Sequence, residues 1–298
     1  MLENKVAIVT GGSEGIGFGI ASALASKGTR VYLVARTLEK LEKAKERITQ
    51  QGGKVDIKSA DITNIESMKE IVENVYRDNG RLDIFVNNAG AWKGQSLDTP
   101  FDDIWKLVEF DMKAPYQLAH YLSSRFRSEK ENTLKILTVS SQAALQVMDI
   151  GLGYGPAKMG LTAGLFHLEN ELRIEIEGKI DEEIKRGLLK EEEKEQRKEE
   201  LSRVKFYRLY PNTVATEKMM EAIRKNQVQN PVSLEAVVNT AIDLLLDKTP
   251  TRDVRIGYYP GKGIVRTYLP SNPDDFYHPA KITEEIVDPD FIPEDLLK

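Results

Sequence analysis

The stretch Thr10-Gly11-Gly12-Ser13-Glu14-Gly15-Ile16-Gly17 joins a short apolar run, Val6 to Val9, to a segment in which apolar residues have helical spacing. Glycine permits a tight turn and a close approach of the backbone to a bound group. The first turn of the following helix offers free N–H groups to a phosphate. The order of strand, glycine-rich turn and helix therefore predicts the start of a nucleotide-binding α/β sheet.

The rest of the chain continues this alternation of strands and helices. Nearly continuous apolar strands between helices are typical of a parallel sheet covered on both faces, and right-handed crossovers make such a sheet doubly wound. The predicted strands are Val6–Val9, Val31–Val34, Val55–Lys58, Leu82–Val86, Lys135–Val139, Val204–Leu209 and Val254–Tyr258. The predicted helices cover about Gly15–Ser26, Leu38–Ile48, Ile65–Asn79 and Phe101–Phe126.

The predicted organisation is one α/β domain over residues 1–263 with a charged helical insertion at about 175–203, followed by a C-terminal extension, 264–298. Within the insertion, apolar residues recur every four positions among Glu, Lys and Arg, which predicts a largely solvated helix. They are Ile176, Ile180, Ile184 and Leu188. The insertion is either a surface helix or mobile segment, or an element that contacts another subunit or covers the site. The extension is either an ordered arm or a loose end.

Composition excludes several classes of function. The 298 residues carry 42 Lys and Arg and 47 Asp and Glu, a net charge of −5, without the concentrated basic patch that nucleic acid requires. The absence of cysteine excludes disulfides and thiolate chemistry, and three scattered histidines give no metal-ligand spacing, so no metal site is predicted. No apolar run has the length of a membrane span or a signal peptide, and we expect a cytoplasmic protein.

Two charged residues bear on the choice of nucleotide. Arg36 follows the second predicted strand, where the ribose of a dinucleotide would lie, and an arginine at this point can pair with a 2′-phosphate. Glu14 in the glycine-rich turn opposes this, because a carboxylate would repel the same phosphate. The balance favours NADP over NAD.

A second group of residues follows the fifth predicted strand. Tyr154 and Lys158 are four residues apart and share one face of a helix, and Ser141 precedes the tyrosine by thirteen residues. An ammonium group near a phenol favours the phenolate. Tyr154 can therefore donate a proton to a carbonyl oxygen, or accept one in the reverse direction, while Ser141 hydrogen-bonds the same oxygen.

In these motifs the chain resembles the short-chain dehydrogenase/reductase family, in its compact, one-domain branch. The matching residues are Thr10–Gly17, Asp61, Asn87–Gly90, Ser141, Tyr154 and Lys158, and the match extends roughly from Lys5 to Gly261. The resemblance implies a Rossmann-type fold and an oxidoreductase that moves a hydride between NADP or NAD and a ketone, aldehyde or secondary alcohol. The implied cofactor contacts are Gly11, Ser13, Gly15, Ile16, Gly17, Arg36, Asp61, Ile62, Asn88, Ala89, Gly90, Tyr154, Lys158, Val214 and Thr216.

Three departures from the family pattern stand out. Asp111 occupies the position at which the family commonly has an asparagine that holds a water in a proton relay to the lysine. Asp111 can serve the same relay, with a charge that raises the pKa of Lys158, or it is only a helix residue. The usual Pro-Gly is Pro211-Asn212, and asparagine tolerates a left-handed backbone. The last strand ends in Tyr258–Gly263 instead of Asp-Gly-Gly.

The family layout also indicates which residues face the substrate. Most of them are apolar, so we expect a hydrophobic carbonyl compound or alcohol as the small-molecule partner, and a homodimer or homotetramer as the assembly. The candidates are Trp92, Gln142, Leu145, Met148, Leu152, Met219 and Met220. Two other functions stay open: a catalytically silent cofactor-binding sensor or scaffold of the same fold, and a nucleotide-sugar epimerase or dehydratase.

Overall fold

The computed structural model describes residues 1–148, 151–225, 231–271, 276 and 282–291, and His278 and parts of the C-terminal extension lie outside this range. The strands are β1 (Val6–Thr10), β2 (Arg30–Ala35), β3 (Val55–Ser59), β4 (Ile84–Asn87), β5 (Leu134–Val139), β6 (Val204–Pro211), β7 (Val214–Ala215), β8 (Val232–Ser233), β9 (Asp253–Tyr259), β10 (Gly263–Leu269) and β11 (Thr283–Asp288). The α-helices are α1 (Gly15–Ser26), α2 (Leu38–Gln50), α3 (Ile65–Asn79), α4 (Phe101–Val108), α5 (Ala114–Phe126), α6 (Tyr154–Lys185), α7 (Lys194–Leu201), α8 (Met220–Arg224) and α9 (Leu234–Leu245).

The central sheet runs in the order β3-β2-β1-β4-β5-β6-β9-β10-β11, and its neighbours from β3 to β9 are parallel. The chain winds outward from β1 to β3 and then returns to β4, so the order reverses between β1 and β4. In open parallel sheets, ligands bind beyond the carboxyl ends of the strands at such a reversal. The predicted doubly wound α/β sheet is confirmed, and the crevice lies after Thr10 and Asn87.

Alternate side chains of the central strands supply two cores, one on each face of the sheet. Val9 and Leu33 pack with helices α1, α2 and α9, whereas Ile8 and Val34 pack with α3, α5 and α6. Burial on both faces explains why these strands are apolar at nearly every position. Helices cover both faces of the sheet, so the carboxyl edge of the strands remains open to a ligand.

Two antiparallel strands that the sequence analysis does not predict extend the sheet beyond β9. Strand β10 pairs with β9 from Gly263 opposite Tyr259 to Leu269 opposite Asp253, and β11 pairs with β10. Gly263 is required at the turn because φ is 76° and an added Cβ would lie 2.0 Å from the carbonyl oxygen of Asp288. The division into domains at residue 263 stays a prediction, but the first strand of the extension belongs to the same sheet.

The predicted helix Phe101–Phe126 is interrupted by one π-helical turn at Glu109–Lys113. Pro115, near the start of α5, has no N–H to donate, and in an α-helix its ring would clash with the carbonyl group of Asp111. A wider turn relieves that clash, and π-turns of this kind are frequent at functional sites. Asp111 lies in the middle of the turn and is fully buried.

The charged insertion is helical over most of its length, formed by the end of α6 and by α7. Ile180 is buried and Ile176 and Ile184 are partly buried, but Leu188 is exposed, so the predicted apolar stripe ends one turn early. The two helices are joined by ion pairs such as Arg197–Glu183 at 2.7 Å. Because α6 rises about 1.5 Å per residue, its charged part begins roughly 30 Å from Tyr154. Within one subunit the insertion therefore begins far from Tyr154, and its role stays a prediction.

We predict opposite stability effects for alanine at Gly80 and Gly178. Gly80 ends α3 with φ at 69°, a left-handed conformation that costs an alanine about 1 kcal/mol. Gly178 lies within α6 with open space around an added Cβ, so alanine there should stabilise by about 0.5–1 kcal/mol. Urea titration gives both free energies of unfolding. A Gly80→Ala variant as stable as the wild type would contradict the assigned helix end.

Candidate active site

The turns that follow β1 and β4 are joined through the hydroxyl group of Thr10, which is fully buried. Its Oγ1 donates to the Val86 carbonyl oxygen at 3.1 Å and accepts the backbone N–H groups of Asn88 at 3.0 Å and Ala89 at 3.1 Å. The Asn88 side-chain amide donates to the carbonyl oxygens of Thr10 at 2.9 Å and Gly11 at 3.3 Å. These bonds hold the two turns at a fixed separation at the reversal of strand order.

The glycines of the first turn are needed for this close packing. The φ angle is 63° at Gly11 and 58° at Gly15, both in the left-handed region. An added Cβ at Gly11 would lie 2.8 Å from Nδ2 of Asn88, and one at Gly17 would lie 2.4 Å from the Gly11 carbonyl oxygen. A larger residue would push the two turns apart, and helix α1 begins at Gly15 with its free N–H groups facing this crevice.

A cavity of about 790 Å³ opens over these turns and the carboxyl end of β2. Its size and its glycine lining suit an extended nucleotide, and ten of the residues predicted from sequence as cofactor contacts lie in its wall. The lining comprises Gly11, Ser13, Glu14, Gly15, Ile16, Val34, Ala35, Arg36, Thr37, Lys40, Ala60, Ile62, Asn88, Ala89, Gly90, Phe110, Thr216, Glu217 and Lys218.

Charged side chains at the β2 end of this cavity are paired with one another. Lys40 contacts Glu14 at 2.7 Å, and Arg36 lies 3.9 Å from Asp61. All four side chains are substantially exposed, so each pair contributes little to stability and its partners can exchange. Lys40 neutralises the carboxylate of Glu14, which was expected to repel a 2′-phosphate.

A second cavity, of about 540 Å³, adjoins the first and shares Ile16, Asn88, Gly90 and Thr216 with it. The side chains of Ser141, Tyr154 and Lys158 all line it, so the structure brings the predicted trio together. Its other lining residues are Ala91, Trp92, Val139, Ser140, Gln142, Met148, Pro211, Asn212, Thr213, Val214 and Met219.

The orientation of the trio follows from the start of α6 and the turn after β5. The Lys158 ammonium lies 5.4 Å from the centroid of the Tyr154 ring, one helical turn away. Ser141 precedes a short 3₁₀ turn, and its Oγ accepts the backbone N–H of Ala143 at 3.2 Å. That bond leaves the hydroxyl hydrogen of Ser141 available to a group in the cavity.

Asp111 forms a buried ion pair with Lys158, with 2.9 Å between Oδ1 and Nζ. Both carboxylate oxygens also accept the backbone N–H of Ala91, at 3.2 Å. Burial alone would lower the pKa of Lys158, but the Asp111 carboxylate, the nearby Tyr154 and the hydrogen bond to Asp111 outweigh it, so the pKa of Lys158 is raised. The contact agrees with the expected effect of Asp111 on Lys158, while its part in a proton relay stays a prediction.

The comparison with protein families decides the assignment. The sequence model described as short chain dehydrogenase matches residues 5–177. The chain belongs to the short chain dehydrogenase family.

Curated members of the family match the same part of the chain. A short chain dehydrogenase of Pseudocercospora fijiensis is 36% identical over 180 residues, covering 59% of this chain and 56% of the relative. The sorbose reductase of Candida albicans is 31% identical over 177 residues, covering 58% of this chain and 62% of the relative. The chain thus spans about three fifths of the length of the curated relatives it matches.

Solved structures of the family share the fold over most of the chain. A metagenomic short-chain oxidoreductase in complex with NADP is 25% identical with a TM-score of 0.61, covering 85% of this chain and 97% of that one. A 7α-hydroxysteroid dehydrogenase complexed with NADH and 7-oxo glycochenodeoxycholic acid is 20% identical with a TM-score of 0.66, covering 82% and 88%.

The turn at Asn212, where the family commonly has glycine, is formed differently from the prediction. Among the described non-glycine residues, only Asn4 and Asp247 have positive φ, so Asn212 does not use the left-handed backbone that the sequence analysis invoked. Its side-chain oxygen instead accepts the backbone N–H of Thr213 at 2.8 Å. Val214 and Thr216 follow this turn and line the cavities.

Some residues predicted from the family layout lie outside both cavity walls. Gly17 is buried behind Asn88, where it shapes the turn, and Asp61 contacts Arg36 from beside the cavity. Asp111 also lies outside the walls and contacts Lys158 from behind. The other three are candidates for substrate contact: Leu145, Leu152 and Met220. Conversely, sequence reasoning missed Lys40, Phe110 and Lys218 in the first cavity. Only Lys40 gave a signal, because it follows Arg36 by four residues at the start of a predicted helix.

In the described part of the chain, no group of three or more His, Asp or Glu side chains is placed to hold a metal ion. Over the same residues, no helix is long and apolar enough to cross a membrane.

We predict that Asp111→Asn shifts the pH dependence of turnover. The substitution keeps a hydrogen-bond acceptor for Ala91 but removes the charge that raises the pKa of Lys158, while burial still lowers it. The alkaline limb of the kcat profile should therefore move to lower pH. Asp103→Asn, an exposed helix aspartate paired with Lys106, is the matched control and should leave the profile unchanged. Superimposable profiles for Asp111→Asn and the wild type would contradict the electrostatic role.

Proposed function

We propose that this chain is an NADP-preferring oxidoreductase that interconverts a hydrophobic ketone or aldehyde and the corresponding alcohol, with Tyr154 as general acid and base. The observation that carries the proposal is the placement of Ser141, Tyr154 and Lys158 in one cavity that adjoins the glycine-lined cavity. A location in the cytoplasm and assembly into a homodimer or homotetramer are further expectations from family membership.

The residues of the first cavity fit a bound dinucleotide. The left-handed Gly11 and Gly15 leave a backbone surface without side chains, and α1 presents N–H groups to a pyrophosphate. Ile62 and Ala60 would flank the adenine end, and Asn88, Ala89 and Gly90 the central part. When bound, the nicotinamide supplies or accepts the hydride.

The chain's own groups would then handle the proton and the charge on oxygen. Tyr154 donates its phenolic proton to the carbonyl oxygen during reduction and removes the alcohol proton during oxidation. Ser141 donates its hydroxyl hydrogen to the same oxygen and stabilises the charge that develops on it. Lys158, held protonated by Asp111, keeps a positive charge beside the phenol ring of Tyr154.

The preference for NADP over NAD rests on the charges at the β2 end of the cavity. Arg36 and Lys40 line this end, and each can leave an exposed carboxylate partner to bind a 2′-phosphate. Glu14 would compete with the phosphate for Lys40, so the preference is expected to be moderate. Two similar proteins are described as using NADP, a probable NADP-dependent mannitol dehydrogenase of Yarrowia lipolytica and the metagenomic oxidoreductase.

We predict that Arg36→Gln weakens NADPH binding about tenfold or more and leaves NADH binding within about twofold, because only NADPH carries the phosphate that the guanidinium would pair with. Titration of protein fluorescence with each cofactor gives both dissociation constants. Lys43→Met is the matched control, an exposed cation of α2 paired with Glu39 and absent from the cavity wall. Equal losses for the two cofactors would refute the phosphate contact.

We predict that Tyr154→Phe lowers kcat for carbonyl reduction by about 10² to 10⁴-fold with cofactor binding retained, because the ring stays and only the transferable proton is lost. The measurement is a screen of ketones and alcohols with both cofactors that follows absorbance of the reduced nicotinamide. Tyr116→Phe is the control, a tyrosine of α5 that packs against Gly164 outside the cavity. A Tyr154→Phe variant as active as the wild type would favour the silent sensor or scaffold instead.

A further inference from the structure

Several large apolar side chains are exposed beside the mouth of the second cavity, which Tyr154 lines. They come from the segment after β4, from α4 and from the segment that leads into α6, and their exposed fractions range from 43 to 93%. We call them the apolar rim: Trp92, Leu97, Phe101, Trp105 and Leu152. Contiguous exposed apolar surface on a water-soluble fold commonly marks a binding site.

Backbone contacts show that the three segments of the rim lie against one another. The Gln95 side chain accepts the backbone N–H of Gly153 at 2.7 Å and donates to the Asp103 carbonyl oxygen at 3.3 Å. An added Cβ at Gly153 would lie 2.9 Å from the Ile104 carbonyl oxygen, and one at Gly151 would lie 3.1 Å from the Lys93 carbonyl oxygen.

These contacts also determine where the residues of the rim lie relative to one another. Leu152, between the two glycines, is bracketed by Lys93, which follows Trp92, and by Ile104, which precedes Trp105. In addition, the rings of Phe101 and Trp105 stack with 6.1 Å between centroids. The three segments that carry the rim therefore lie side by side.

The rim is continuous with the cavity that holds Tyr154. Trp92 belongs to the rim and also lines the cavity, and Leu152 lies two residues before Tyr154 at the entrance to α6. Apolar side chains also line the inner wall, among them Val139, Met148 and Met219. A molecule that reacts at Tyr154 and is longer than the cavity would leave it over Trp92 and Leu152.

We propose that the substrate carries a long, unbranched hydrocarbon chain, with its carbonyl or alcohol carbon at Tyr154 and the chain lying over the apolar rim. This inference rests on the proposed oxidoreductase function and adds the substrate class. Each methylene group that the rim removes from water strengthens binding about threefold to fourfold. Rim contacts act on the part of the substrate that does not react, so their effect appears in kcat/KM.

The charges around the rim favour such a chain over an anionic lipid surface. Asp98 and Asp102 are exposed between Leu97 and Trp105, Lys106 is paired with Asp103 at 2.9 Å, and the exposed Lys93 also acts on Asp103. The rim thus has three carboxylates and two ammonium groups around it. An anionic bilayer would be repelled by these carboxylates. An uncharged hydrocarbon chain requires no compensating charge and contacts only the apolar side chains.

The test is a series of methyl ketones from 2-butanone to 2-dodecanone, assayed with NADPH. For the wild type, kcat/KM should rise about threefold per added methylene once the chain extends past the cavity. The double variant Phe101→Ser/Trp105→Ser should flatten this rise, and Leu97→Ser, at a side chain 93% exposed and therefore outside the core, should reduce it. Leu188→Ser, at a leucine 73% exposed on the charged insertion, is the matched control and should keep the wild-type slope.

The outcomes separate this inference from the proposed function. Turnover of short ketones with no dependence on chain length, or a slope that survives both rim variants, would overturn the inference and leave the function intact. No turnover of any ketone or alcohol with either cofactor would overturn both. If sedimentation velocity shows a wild-type dimer that the rim variants lose, with an unchanged slope, the rim binds a second copy of the chain. If the rim variants lose binding to phosphatidylcholine vesicles, with an unchanged slope, the rim binds a membrane. Either result would refute the substrate chain.

Discussion

The close approach of the turns after β1 and β4 is the constraint on which the site depends. A single buried hydroxyl, that of Thr10, holds three backbone groups of the second turn, and the absence of side chains at Gly11 and Gly17 lets Asn88 complete the contact. Without that hydroxyl, two partly buried N–H groups would lose their acceptor, at a cost of about 1 kcal/mol each. The same geometry places a bare backbone surface at the reversal of strand order, where parallel sheets bind nucleotides.

A second constraint is electrostatic, and it links the helix after β4 to the helix after β5. A lysine buried without a partner would tend to lose its proton, and a carboxylate buried alone would tend to gain one. Asp111 and Lys158 each supply the charge that the other needs, while the backbone N–H of Ala91 satisfies the carboxylate from a third direction. The pair keeps a fixed cation beside Tyr154 at a place that almost no water reaches. An asparagine in place of Asp111 would hold Lys158 only through hydrogen bonding, without the opposite charge.

Features of this structure that depend on local interactions can be predicted from the sequence, and features that depend on contacts between distant segments cannot. The glycine turn, the parallel strands and the spacing of Ser141, Tyr154 and Lys158 are local patterns, and the structure places them as predicted. Asp111 is buried within a π-turn that precedes Pro115, whereas apolar spacing alone indicates an unbroken helix there. Strands β10 and β11 and the Lys40–Glu14 pair arise from contacts between distant segments, for which periodicity gives no signal.

In the proposed function, helix α6 carries the chemistry and the apolar rim carries the selectivity. The first two turns of α6 carry Tyr154 and Lys158, and Lys158 is buried in contact with Asp111 of the π-turn. The apolar rim lies on α4 and on the segments before α4 and α6, and the Gln95 side chain joins these parts through Gly153 and Asp103. Rim side chains are substantially exposed, whereas Lys158 is positioned by the buried carboxylate of Asp111. Under the proposed function, substitutions at Phe101 or Trp105 should therefore change which substrate is bound and preserve the proton transfer at Tyr154, because the reacting groups and the proposed substrate surface rest on different interactions.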